Sequence, residues 1–207
     1  ERRGGAPALL ATLDLAARTF PDHARFARLL GLALASAGRD DEAITALTRA
    51  LSLDASAADV APRLAELHLE GAKKDAAAGR ADRAIERGRA ALTVAADPTA
   101  AAIFVGDLLR ARREHAEAAR LYERAIEARI DSVDAIYGAA ASYVALGRAP
   151  EAVPPLRRAA RIDPSRVDVH RLLASTLATL GEKLARPPFL EARRKEIEAW
   201  LNPRESR

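Results

Sequence analysis

The feature of this chain that most restricts its fold is a seven-residue segment that returns along the sequence at nearly constant spacing. Three copies begin with Gly-Arg, at Gly38, Gly79 and Gly147, and a weaker fourth copy begins at Arg113. The alanine five residues into each copy recurs after 41, then 34 and 34 residues, at Ala43, Ala84, Ala118 and Ala152. Such a period predicts similar helix pairs stacked one on another.

Small residues recur at positions fixed by these alanines. A second alanine follows each of them seven residues later, two turns along the same helix face. Gly31, Gly106 and Ala140 lie twelve residues before three of them, where a small side chain lets two helices approach closely. Asp97-Pro98 and Asp163-Pro164 each place a helix N-cap before a proline of the first turn. The pattern therefore predicts two helices in each copy.

The composition agrees with helices and argues against nucleic-acid binding. Aromatic residues make up only 4% of the chain, so its apolar content is chiefly Ala and Leu, which suit helices better than strands. The 33 basic and 29 acidic residues are interspersed, whereas a nucleic-acid-binding protein gathers its basic residues on one face. The one dense basic cluster, residues 193–195, is flanked by glutamates.

Motifs for catalysis, metals and cofactors are missing from the sequence. It has no Cys, and its four His residues each fall in a different helix or turn, which argues against a metal site or a catalytic dyad. It has neither a glycine-rich phosphate loop nor a nucleophile elbow. No apolar run approaches the roughly 18 residues of a membrane span. We predict no catalytic residue, metal, cofactor or membrane insertion in this segment, and a cytoplasmic or a periplasmic location stays open.

At these positions the chain resembles the tetratricopeptide repeat family over nearly its whole length. The matching residues are Leu30, Gly31, Leu34, Gly38, Ala43, Leu47, Ala50 and Asp54 in one repeat, and Tyr143, Gly147, Ala152, Leu156, Ala159, Asp163 and Pro164 in another. The family's large aromatic residue near the start of the first helix is replaced by Ala27, Ala102, Ile136 and His170. The resemblance implies an all-α fold, a right-handed α-α superhelix or solenoid of about eleven helices, with a thinner core.

The same register predicts one solenoid domain over residues 1–207. An unpaired N-terminal helix takes residues 6–20, helix pairs take residues 22–54, 57–96, 98–130 and 132–163, and an atypical fifth pair takes residues 165–202. The last helix of that pair begins at Pro187 and caps the solenoid. Seven surplus residues in the 57–96 pair are placed at Gly71–Ala77, in a first helix from about Ala57 to Ala77 whose charged tip, residues 73–75, projects from the edge.

The resemblance implies a non-enzymatic scaffold or adaptor, whose first helices line a concave groove for an extended peptide or a helix of a partner protein. The residues at the family's groove-lining spacings are Arg25, Arg28, Leu32, Glu66, Leu69, Ile103, Phe104, Asp107, Arg110, Asp134, Tyr137, Ala141, Asp168, Arg171 and Ser175. Phe104 and Tyr137 would form an apolar anchor site, and Arg28 and Arg110 would orient an acidic or carbonyl-rich segment. The alternative for Phe104 is packing between neighbouring helices.

Two other interpretations stay open. The chain could be an accessory repeat domain of a larger enzyme or envelope assembly. It could also assemble with itself, because an unpaired N-terminal helix would expose Leu9, Leu10, Leu13 and Leu15. The carboxylate clamp of chaperone-binding family members is not expected, because Leu32 stands where that clamp needs Asn, and the one Asn of the chain is Asn202.

Overall fold

A computed structural model of the chain describes residues 5–57 and 59–183, which form ten helices and no strand. In chain order the helices are α1 (Gly5–Thr19), α2 (Ala24–Ser36), α3 (Asp40–Leu53), α4 (Val60–Ala77), α5 (Ala81–Val94), α6 (Thr99–Ala111), α7 (His115–Ala128), α8 (Val133–Ala145), α9 (Ala149–Ile162) and α10 (Val167–Lys183). The all-α helical-repeat fold predicted from the sequence is confirmed. The predicted capping helix from Pro187 lies outside the described residues. Within them, no helix is both long and apolar enough to cross a membrane.

The chain divides into two compact units, and the boundary between them falls inside α6. Unit 1 comprises residues 1–101, and unit 2 comprises residues 102–207. In unit 1, α2 packs against α1 and α3, and α4 packs against α3 and α5. In unit 2, α8 packs against α7 and α9, and α10 packs against α9. Each second helix thus packs on first helices, as expected of stacked pairs, while a single domain over residues 1–207 stays a prediction.

The same backbone turn ends the first helix of four pairs. Gly38, Gly79 and Gly147 adopt φ values of 73°, 74° and 75°, and Arg113 adopts 64° in the fourth turn. The next residue donates its N–H to the carbonyl four residues before the positive-φ residue, which satisfies an acceptor at the helix end. We call this acceptor the turn-acceptor position. It is occupied by Leu34, Asp75, Leu109 and Tyr143.

The long helix α4 differs from the prediction in where its surplus residues lie. It has 18 residues against 13 in α2, yet both helices end two residues before the glycine of their turn. The surplus therefore extends the beginning of α4, where Val60 and Leu64 are buried in the core of unit 1. The prediction of a projecting charged tip is wrong for Asp75, which is only 3% exposed, and Lys74 Nζ lies 2.6 Å from Asp40 Oδ2 on α3.

Helix α1 is partly covered, because it packs on α2. Leu10 lies against the core cluster of unit 1 that contains Leu34, and Leu13 is half-buried. Leu9 and Leu15 point away from α2 and are 54% and 67% exposed. The prediction that all four leucines are exposed is therefore wrong for Leu10 and Leu13. Self-association through α1 stays a prediction.

Candidate functional site

The predicted groove residues of unit 1 lie on α2 and α4, and most of their charges are already paired. Arg28 Nε donates to Asp59 Oδ2 at 2.9 Å, and Glu66 forms an ion pair with Arg63 one turn earlier on α4. The predicted apolar members, Leu32 and Leu69, are half-buried. In the described part of unit 1, Arg25 is the predicted groove residue that keeps an exposed charge without an ion pair.

In unit 2, the candidate surface is organised by Tyr122 of α7, a fully buried residue. A Cβ atom at Gly106 of α6 would lie 2.9 Å from its ring atom Cζ, and one at Gly138 of α8 would lie 2.3 Å from Cε1. Real Cβ atoms do not approach so closely, so both flanking positions need glycine. The ring of Tyr122 therefore packs directly against the backbones of two first helices, α6 and α8.

The hydroxyl of Tyr122 reaches the predicted groove residues of α6. It donates to Asp107 Oδ1 at 2.7 Å, and Arg110 Nη2 lies 3.3 Å from the same oxygen. Burial and this carboxylate together raise the pKa of Tyr122 above its ordinary value, because both disfavour the phenolate. The structure thus brings Asp107 and Arg110 together as one ordered polar cluster, in which the Arg110 guanidinium already holds a carboxylate.

Two further predicted groove residues, Asp134 at the start of α8 and Asp168 at the start of α10, share one guanidinium. Arg166 Nη1 lies 2.7 Å from Asp134 Oδ1, and its Nη2 lies 2.8 Å from Asp168 Oδ2. Hydrogen bonds from Arg166 lower the pKa of Asp168 to about 2, against the opposing effect of burial. The Asp168 carboxylate therefore stays ionised at neutral pH, and Arg166 links α10 to α8.

The remaining predicted residues of unit 2 combine partly covered apolar groups with one open charge. Ile103, Phe104 and Tyr137 are half-buried, and Tyr137 packs against the core cluster that contains Leu156. Arg171 is exposed and has no ion pair among the described residues. The surface can therefore offer apolar area, a phenol hydroxyl and a guanidinium to a partner. Whether Phe104 and Tyr137 form one anchor site stays a prediction.

Sequence reasoning missed Tyr122, Gly138 and Arg166 as parts of this surface. Tyr122 stands four residues after Ala118, at the position that Leu47 holds after its own alanine, so the repeat marks it as a core residue. The signal in the sequence was that this core residue is a tyrosine. A buried phenol needs a hydrogen-bond partner, so a polar residue had to lie next to it. Arg166 lies in a connecting segment, where helical spacing assigns no groove position.

Comparison with known families agrees with this architecture. Models of the tetratricopeptide repeat match residues 2–59 and residues 109–176. Together the two matches cover more than half of the chain. The chain belongs to the tetratricopeptide repeat family. No curated protein matches it.

Solved structures show the same fold at low sequence identity. YrrB, described as a tetratricopeptide repeat protein with an unusual peptide-binding site, is 17% identical, with 93% of this chain and 97% of that one covered and a TM-score of 0.55. The first repeat domain of Spaghetti (RPAP3), bound to an HSP90 peptide, is 17% identical over 57% of this chain and 94% of that one, with a TM-score of 0.56. MamA (AMB-1) is 23% identical over 83% of this chain and 90% of that one, with a TM-score of 0.51. Identities this low support the fold alone.

Proposed function

We propose that this protein is a non-enzymatic interaction scaffold that holds a peptide or a helix of a partner protein on its first helices. Family membership supports an interaction role, and YrrB and the RPAP3 domain, which share the fold, are described with a peptide-binding site and a bound peptide. In the described part of the chain, no group of three or more His, Cys, Asp or Glu side chains is placed to hold a metal ion.

The observation that carries the proposal is the surface formed by α6, α8 and α10 in unit 2. There the buried Tyr122 donates a hydrogen bond to Asp107 and so orders the Asp107–Arg110 pair. On the same surface, Tyr137 is half-buried and Arg171 is exposed. Ordered polar groups beside partly covered apolar side chains suit recognition, because a partner finds them without a large loss of side-chain entropy. Since Arg110 and Arg28 already hold carboxylates, Arg171 is the guanidinium of unit 2 that we expect to meet an acidic or carbonyl-rich partner.

The test starts from a partner recovered with the full-length protein and continues with calorimetry on purified variants. We expect Tyr137→Ala and Arg171→Glu each to weaken binding by about 1 kcal/mol or more, because both would act as interface hot spots. Arg161→Glu is the matched control, since Arg161 is also an exposed arginine, on the second helix α9. Unchanged affinity in both groove variants, with circular dichroism showing intact helices, would move the binding surface elsewhere.

A further inference from the structure

Unit 2 contains a tyrosine site on the side of the second helices, away from the residues assigned to the groove. Tyr143, at a turn-acceptor position, donates its hydroxyl to Glu123 Oε1 on α7. The guanidinium of Arg148 lies 5.0 Å from the centre of the Tyr143 ring, and Arg148 Nε donates to Glu151 Oε1 at 2.7 Å. The site therefore has three parts: a carboxylate acceptor, a guanidinium over the ring, and a second carboxylate that holds the guanidinium.

Unit 1 repeats this arrangement at matching sequence positions, but without the ring. Asp14, Arg39 and Glu42 precede Glu123, Arg148 and Glu151 by the same number of residues, and Leu34 precedes Tyr143 by that number too. Arg39 donates from Nε to Glu42 Oε1 at 2.7 Å, as Arg148 does to Glu151. The backbone turn matches as well: Arg39 N donates to Leu34 O at 3.0 Å, and Arg148 N donates to Tyr143 O at 2.9 Å.

The space that a tyrosine would fill is open in unit 1. A groove of about 500 Å³ lies between α1, α2 and the start of α3. Leu10, Leu30 and Leu34 provide apolar lining, while Asp14 and Arg39 provide polar groups. Because Leu34 lacks the reach of Tyr143, nothing from this position crosses the groove to the carboxylate of Asp14. The volume exceeds that of a phenol ring, so a side chain from outside can enter.

We propose that this groove receives a tyrosine side chain of a partner protein. Its ring would lie on Leu34 beneath the guanidinium of Arg39, and its hydroxyl would donate to Asp14, as Tyr143 donates to Glu123. Asp14 Oδ2 already lies 2.8 Å from Arg18 Nη2, but a carboxylate has about four acceptor sites and can take another donor. A phenylalanine would leave the Asp14 contact unused, so the carboxylate favours a phenol over a plain aromatic ring. This site does not depend on the groove proposed above.

The probe is a blocked, alanine-rich helical peptide with one central tyrosine, compared with a twin that carries phenylalanine. Both are titrated into the ¹⁵N-labelled chain and followed by NMR. We expect the tyrosine peptide to shift the amides of Asp14, Leu34 and Arg39 saturably, and the phenylalanine twin to bind roughly fivefold more weakly because one hydrogen bond is missing. Equal affinity of the two peptides would overturn the proposal. No saturable shift, or shifts confined to α6, α8 and α10, would overturn it as well.

Two variants distinguish binding at this groove from nonspecific binding of the peptide elsewhere on the chain. Leu34→Tyr should fill the groove from within and abolish binding of the tyrosine peptide. Asp14→Ala, a change on exposed helix surface, should make the tyrosine and phenylalanine peptides bind equally, and it keeps the test decisive if Leu34→Tyr does not fold. Asp22→Ala is the matched control and should preserve the fivefold preference. A preference that survives Asp14→Ala would contradict the assigned acceptor.

Discussion

Each unit has one polar side chain at a turn-acceptor position, but it is a carboxylate in unit 1 and a phenol in unit 2. Of the two turn-acceptor positions in unit 1, the polar one is Asp75, a carboxylate only 3% exposed, which Arg80, Arg83 and Arg87 approach to 2.7, 3.4 and 3.1 Å. The polar one in unit 2 is Tyr143, whose phenol donates to a carboxylate on the preceding second helix. The backbone turn is the same in both, so it does not dictate the side chain.

The difference teaches that the surrounding second helices decide which side chain the turn can bury. Arg87 also reaches Asp41 on α3 at 2.7 Å, and Gly71 gives it room, since a Cβ atom there would lie 2.3 Å from Arg87 Nη1. The turn of unit 1 is thus stabilised by ion pairs, whereas unit 2 is stabilised by half-buried Tyr143 and fully buried Tyr122. The two units should therefore respond differently to added volume, to acid and to alkali.

The largest expected effect comes from adding one methyl group to each unit. In Gly138→Ala the new Cβ would lie 2.3 Å from Cε1 of Tyr122, a ring that is fully buried and cannot move away. Overpacking of this kind costs about 1–3 kcal/mol, and the gain in helix propensity from Gly to Ala offsets at most about 1 kcal/mol. We expect a net loss of about 2 kcal/mol in urea-induced unfolding.

Gly71→Ala is the matched change in unit 1. Its Cβ meets an atom at the same 2.3 Å, but that atom is the mobile end of the Arg87 side chain. The guanidinium can swing toward solvent, so the propensity gain should nearly cancel the loss of the ion pairs. Similar destabilisation by the two variants would mean that ionic and aromatic contacts are equally rigid, and the comparison between the units would fail.

An intermediate effect is expected from Asp75→Asn, which removes a charge but keeps an acceptor oxygen. Burial alone would raise the pKa of Asp75, but the hydrogen bond from Arg80 and the nearby guanidinium charges lower it below its ordinary value of 3.8. A lowered pKa means that ionised Asp75 stabilises the fold above that value, and that this contribution is lost as the pH falls through the folded-state pKa. Because Arg80 and Arg83 are about half exposed, solvent limits the cost of leaving them unpaired.

The measurement is the difference in melting temperature between the wild type and Asp75→Asn as a function of pH. We expect Asp75→Asn to be the less stable protein near neutral pH and the difference to shrink on acidification. Asp54→Asn is a control at an exposed aspartate, whose lowered pKa comes chiefly from hydrogen bonds of Ser56, with the Arg28 charge contributing least; added salt should affect it less. A difference for Asp75→Asn that stays constant into acid would show that its charge does not stabilise unit 1.

The sequence predicted the helix pairs because their signals are local and repeated. The turn glycines and the small residues at helix contacts act through backbone conformation and volume, which depend little on distant residues. Gly106 shows this, since it lies against Tyr122 as its position in the repeat predicts. The family's spacing also selected Asp107 and Arg110, which the structure finds in one polar cluster.

The side-chain partners could not be predicted, because they depend on which positions face each other across pairs. The surplus residues of α4 were placed at Gly71–Ala77, near its end, whereas the structure aligns this helix by the turn at Gly79. That shift placed Asp75 at a solvent-exposed tip instead of at a buried turn-acceptor position. Arg28 was assigned to a partner for a similar reason, since Asp59, the carboxylate that it holds, becomes its neighbour only in the folded chain.

The smallest effect is expected in alkali from Tyr143→Phe. Burial and the hydrogen bond to Glu123 raise the pKa of Tyr143 from 10.0 to about 12. A raised pKa means that the protonated phenol stabilises the fold fully below the ordinary value, and that this contribution is lost as the pH rises through about 12. Because Tyr143 is half-buried and Glu123 is exposed, removing the hydroxyl should cost only about 0.5 kcal/mol at neutral pH.

Tyr137→Phe on the same helix is the control, because the Tyr137 hydroxyl makes no hydrogen bond among the described residues. Urea unfolding at neutral and at alkaline pH should show the wild type approaching Tyr143→Phe as the pH rises, while its difference from Tyr137→Phe does not change in that way. A gap between the wild type and Tyr143→Phe that widens in alkali would reverse the sign required by the raised pKa and remove the phenol–carboxylate bond from the account of unit 2.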